Sequence, residues 1–146
     1  MSQYYELGDT TLWNPSNGAS RLFIRQVEVF QAELGVPSGI GPQEADEYRI
    51  DPAAFGVFVN ALVARHRRTS HGVVLALSEG FLATTLALAE RAGIEVCWTP
   101  PPPAPGEGFR DVQVPAPAGA PLGAGDDDWA DRLRRKAREM DRLMAR

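Results

Sequence analysis

The residues able to do chemistry are few and scattered along this 146-residue chain. Glu79 interrupts the most apolar stretch, HGVVLALSEGFLATTLALAERAG. A carboxyl at the edge of a buried helix pairs with an arginine, reaches solvent, or becomes an acid whose pKa desolvation has raised. His66 and His71 lie five apart in HRRTSH and would point to different faces of one helix. A helical metal pair needs a spacing of three or four, so joint work by the two histidines requires a turn between them. Helix-end charge and junction chemistry is the plainer reading. Cys97, in IEVCW, has no neighbouring basic motif to lower its thiol pKa and reads as an inert small residue rather than a nucleophile.

The segment GVPSGIGPQEADEYRID, residues 35–51, is long for a connection between helices and sets Glu44, Asp46, Glu47 and Asp51 around Tyr48. Carboxylates beside an aromatic suit capture of a basic protein face, the charges steering encounter and the ring anchoring it. The plain alternative is a solvated loop whose Asp51 caps the next helix. The spacing lacks the alternate-residue carboxylates and the glycine of an EF-hand, so no metal is expected. No phosphate loop, zinc cluster or nucleophile elbow occurs, and no cofactor is expected.

Composition narrows the classes further. The net charge of −4 disfavours coating of nucleic acid or of an anionic membrane and suits a basic protein partner. Cys97 is the sole cysteine, which excludes an intramolecular disulfide and agrees with a reducing compartment. The start, MSQYYELGDTTLW, has neither the basic nor the apolar region of a secretory signal, so a cytoplasmic location is expected. The apolar run around Glu79 is short for a membrane span and carries that acid within it, so a core helix is the expected reading.

The elements that must position these residues follow from periodicity. Two β-prone runs flank Gly8-Asp9, predicting a hairpin. Asn14-Pro15 predicts a helix start, Phe23, Val27, Phe30 and Leu34 line one face, and Gly35 predicts the stop. Asp51-Pro52 opens a second helix with Phe55, Phe58, Val59 and Leu62 on one face and a basic end, Arg65 to Arg68. The third helix is apolar nearly all round, with Ala76, Gly80, Ala83 and Ala87 as a small stripe for close approach and Val74, Leu77, Phe81 and Leu88 supplying volume. Ile94, Val96 and Trp98 alternate, predicting a strand that joins the hairpin.

Residues 99–125 hold eight of the twelve prolines and five glycines, with no hydrophobic period. At about 3.1 Å per residue such a tether reaches about 80 Å. Beyond it, residues 126–146 read as a helix whose Trp129, Leu133, Met140 and Leu143 make a seam-like stripe, Lys136 filling the missing position. That stripe needs a surface: a partner, a second copy, or its own domain reached back across the tether. Reaching out is the expectation, with a domain ending at Trp98 folding without the tail.

The segments LWNPSNGASRLF, IDPAAF, ALSEGF and AGIEVCW give residues 1–98 a resemblance to a family of short, uncharacterised actinobacterial proteins. The resemblance implies no activity and lends no catalytic residues. The expected protein is an α+β domain in ββαααβ order over 1–98, three packed helices with a small sheet, then a Pro-rich linker over 99–125 and an amphipathic docking helix over 126–146. Its expected work is non-catalytic protein binding, as an adaptor or immunity-type inhibitor of a basic partner. Partner-binding residues are Glu44, Asp46, Glu47, Tyr48, Trp129, Leu133, Met140 and Leu143. Rival readings are a small enzyme using Glu79 with His66 or His71, and a structural subunit that self-associates through its tail.

Overall fold

The first two strands, β1 (Tyr4–Leu7) and β2 (Thr10–Trp13), form the expected hairpin, with Gly8 at a φ of 59° in the turn. They belong to a computed structural model that describes residues 2–69, 71–99 and 128–146. Helix α1 (Asn17–Leu34) starts two residues later than Asn14-Pro15 suggests, because Ser16 is the cap and its side chain accepts from the Ala19 N–H. The Asn14-Pro15 backbone is already engaged, Pro15 accepting from the Gln3 N–H and the Asn14 N–H donating to the Ala145 carbonyl. Gly35 ends α1 in the left-handed region, as expected.

Residues 35–51 are not a loop. They contain β3 (Ile40–Glu44) and β4 (Glu47–Ile50), an antiparallel pair turned at Ala45, whose φ is 56°. The four strands form one sheet in the order β2-β1-β4-β3, with β1 parallel to β4 and α1 as the crossover between them. Gly39 (φ 74°) fixes the entry to this hairpin, since a Cβ there would collide with the backbone of Phe55 and Asp51. Its carbonyl accepts from the Asp51 N–H at 2.8 Å.

Helix α2 (Pro52–Arg68) begins at the predicted cap, Asp51, whose carboxylate accepts from the Ala53 and Ala54 N–H groups. Helix α3 (Gly72–Arg91) is fully buried from Phe81 to Ala89. Its first two turns are not: Leu77, expected to supply core volume, is 75% exposed, and Val73, Ala76 and Gly80 are exposed with it. The helix is long and apolar enough to cross a membrane, yet over half of that window is buried inside the fold, as a core helix requires.

The core is aromatic. Tyr5 stacks between Trp13 and Tyr48, at ring distances of 5.2 and 4.9 Å, with the edge of Phe23 against it. Its hydroxyl hydrogen-bonds Ser20 at 2.9 Å, and burial pushes the phenol pKa up, so it stays neutral. Phe81 of α3 meets Phe23 and Phe30 of α1, which ties the helical layer to the sheet. Each such aromatic pair contributes about 0.5–1.5 kcal/mol beyond the area it buries.

Two further expectations change. Residues 94–98 are not a strand: β1 already has β2 and β4 on its two edges, and IEVCW lies against α2, with Ile94 over Gly56. The C-terminal helix, α4 (Asp128–Leu143), packs along α3 of its own chain rather than standing off. Its buried stripe is Ala130, Leu133 and Ala137, continued by Met144 just past its end, and small Ala130 and Ala137 allow a close approach like that offered by Ala83 and Ala87 on α3. Arg91 locks the arrangement, its guanidinium donating to Asp141 Oδ1 at 2.6 Å and to the carbonyls of Asp141, Met144 and Leu12. The Trp98 and Trp129 rings lie 6.0 Å apart, which sets the start of α4 beside residues 94–98. The expected linker lies, apart from Thr99, outside the described residues. The class is α+β, in the order ββαββααα.

Candidate protein interface

Strand pairing assembles a row of side chains that the linear order separates. In the sheet Glu44 is the partner of Glu47 across β3 and β4, and Glu47 is the partner of Tyr4 across β4 and β1. Paired positions put their side chains on one face. The neighbouring pair Tyr5 and Tyr48 stacks into the core, so Glu44, Glu47 and Tyr4 project from the outer face. All three are exposed, and Tyr4 keeps 37% of its surface in solvent.

The turn that presents this row is held from behind. Gln43 Nε2 donates to the Ala45 carbonyl at 3.0 Å, Tyr48 donates its hydroxyl to Gln43 Oε1 at 3.2 Å, and the Tyr4 N–H donates to the Asp46 carbonyl at 2.8 Å. Asp46 is exposed in the turn itself. Like charges directly opposite on a sheet destabilise it, typically by a few tenths of a kcal/mol. Among the described residues the one cation that pairs with the group is Arg49, 3.6 Å from Glu47 in a solvent-exposed pair worth little. The arrangement is an acidic patch with an exposed aromatic at its edge.

This partly redraws the expected site. Glu44, Asp46 and Glu47 are together and exposed, but Tyr48 is buried in the core stack and cannot anchor a partner. Tyr4 takes that place. The alternation in YYEL and EYRI carries the signal, one tyrosine inward and one residue outward in each strand. Of the tail residues, Leu133 is 1% exposed, Trp129 and Met140 are half-buried in the fold, and only Leu143, at 78%, is free for contact. The step from Leu133 to Ala137 to Met144, rather than to Met140 and Leu143, faces α3.

Glu79 and His66 do come close enough to interact electrostatically, across the α2–α3 junction. His66 is 8% exposed, its ring 6.4 Å from that of Trp129, and its Nδ1 has no hydrogen-bond partner among the described residues. Burial lowers its pKa below the usual 6.5; Glu79 opposes that shift, and Arg132 and Arg65 add to it. The void beside it, bounded by Ser78 and Phe81, measures about 10 Å3, room for one water at most. A general base needs its substrate within hydrogen-bond reach, which a void of that size does not admit. His71 is the N-cap residue of α3, its carbonyl accepting from the Leu75 N–H while its side chain makes no cap hydrogen bond. Among the described residues, no three His, Cys, Asp or Glu side chains gather to hold a metal ion.

The chain matches a family of unknown function (DUF6086) over residues 1–146 and belongs to it. The match runs through the Pro-rich stretch and α4 as well as the 1–98 region in which the resemblance was seen. No curated protein and no solved structure matches the chain.

Proposed function

We propose that this protein is a non-catalytic binding module, an adaptor or immunity-type inhibitor, that receives a basic protein on the outer face of its sheet. The observation that carries the reading is the row Glu44–Glu47–Tyr4, with Asp46 in the adjoining turn. Two carboxylates held opposite each other cost stability without serving the core, and a basic partner would relieve that repulsion on binding. Tyr4 offers an amphipathic ring at the edge of the acids, the residue type that anchors interfaces. The single exposed thiol, Cys97, suits a reducing cytoplasm.

The test begins with capture from the native cell on immobilised full-length protein, followed by association kinetics with the purified partner. Replacing Glu44 and Glu47 by Gln and Asp46 by Asn should slow association about tenfold at low salt and flatten its salt dependence, because exposed charges act on encounter. Tyr4→Ala should instead raise the dissociation rate. Unchanged kinetics in both variants, with the fold intact, would remove the face from the interface.

A further inference from the structure

Residues 94–98 carry a backbone edge that has no partner among the described residues. Asn60 of α2 holds this segment: its Nδ2 donates to the Glu95 carbonyl at 3.1 Å, and its Oδ1 accepts from the Cys97 N–H at 2.7 Å. A carbonyl and an N–H two residues apart are the pair that one residue of a parallel strand takes from its neighbour. The Asn60 side chain therefore stands in for a strand on that side. Backbone groups of the intervening residue point the other way in such a segment, and Val96 N–H and C=O have no hydrogen-bond partner among the described residues.

Beside the segment is a groove of about 480 Å3, between residues 93–98, the end of α3 and α4. Its volume falls in the range of ligand sites, roughly 300–1,000 Å3. Leu86 and Ile94 give it an apolar floor, and its charges are split, Glu90 and Glu95 on one side and Arg138 on α4. None of these three has an ion-pair partner among the described residues, whereas Arg134 is bonded to Asp131 at 2.9 Å and lies 4.4 Å over the Trp98 ring.

We propose that the groove binds an extended peptide of a partner protein, added as a strand to the edge at Val96. The peptide sets an apolar side chain on the Leu86–Ile94 floor, an acid against Arg138 and a base against Glu95. A free backbone edge is matched by another backbone, and flanking pockets then select side chains. Opposite charges kept apart across the gap are complementary to a peptide carrying both signs. The groove shares no residue with the acidic row, so each reading can fail alone.

The test uses the full chain, isotopically labelled, and a panel of blocked hexapeptides alternating valine with aspartate and lysine. In the free protein the Val96 amide should exchange rapidly with solvent and the Cys97 amide slowly. Titration should shift the Val96 and Trp98 amides saturably and slow exchange at Val96. Arg138→Glu should weaken binding at least about tenfold, the loss of one charge-assisted bond, while Arg142→Glu leaves it unchanged. A protected Val96 amide in the free chain overturns the proposal: concentration-independent protection means the chain's own residues cover the edge, and concentration-dependent protection means a second copy does. Absence of any shift at millimolar peptide, or equal binding by Arg138→Glu with its melting point preserved, overturns it as well.

Discussion

Replacing Arg91 by Met should loosen the whole C-terminal helix. The substitution keeps an apolar stem of similar length and removes only the guanidinium, whose side chain is 6% exposed. Four bonds are lost: to the Asp141 carboxylate and to the carbonyls of Asp141, Met144 and Leu12. Bonds to a charged group contribute about 1.5–3 kcal/mol each, but they are not additive. The Asp141 side chain is 40% exposed, so water recovers part of its solvation. A net cost of about 3 kcal/mol follows, the low end for breaking a buried pair from one side. For a chain of this size that lowers the thermal midpoint by about 10 °C. Circular dichroism reads the midpoint, and amide exchange reads whether α4 opens first. Asp141→Asn keeps the three carbonyl bonds and should cost about 1 kcal/mol. A midpoint within about 2 °C of wild type for Arg91→Met, with α4 amides still protected, would show that the guanidinium does not hold the tail.

Cutting the chain after Trp98 should expose the α3 face that Leu133, Ala137 and Met144 cover, giving a fragment that melts far earlier or aggregates; a fragment as stable as the whole would make α4 an accessory. Acidification should destabilise the fold through His66. Its folded pKa lies below 6.5, so the unfolded chain binds more protons in the window below that value. The stabilisation is present above about pH 6.5 and is lost as pH falls through the folded pKa. Denaturant midpoints from pH 7 to 5 should drop more steeply for wild type than for His66→Gln, and parallel curves would refute the assignment. Gly39→Ala places a Cβ into the Phe55 and Asp51 backbone at a φ of 74° and should cost about 2 kcal/mol or more, measured by urea unfolding; a neutral result would mean the hairpin entry can shift.

Local chemistry wrote much of this fold into the sequence. Gly8 in its turn, Gly35 after α1, Asp51-Pro52 before α2 and the apolar density of α3 act within a few residues, and each sits where its physics puts it. The amphipathic character of α4 was equally legible, since Leu133 and its neighbours repeat at helical spacing. The acids Glu44, Asp46 and Glu47 were visible as a group.

What the tertiary structure decided was partnership. The β3–β4 hairpin hides behind Gly39, Gly41 and Pro42, poor strand formers that an edge strand tolerates, and only Tyr48 and Ile50 mark its buried face. Once that hairpin pairs with β1, both edges of β1 are taken, and residues 94–98 lie against α2, where a single side chain, Asn60, supplies hydrogen bonds to Glu95 and Cys97 instead. The same pairing sends Tyr48 inward and brings Tyr4 from more than forty residues away to Glu47. An amphipathic stripe states that a helix must be covered but not by what; the small residues of α3 and α4 and the reach of Arg91 across the chain answer that only when the elements meet. Long-range pairing is fixed by which surfaces remain to be covered, a property of the assembled fold rather than of any window of sequence.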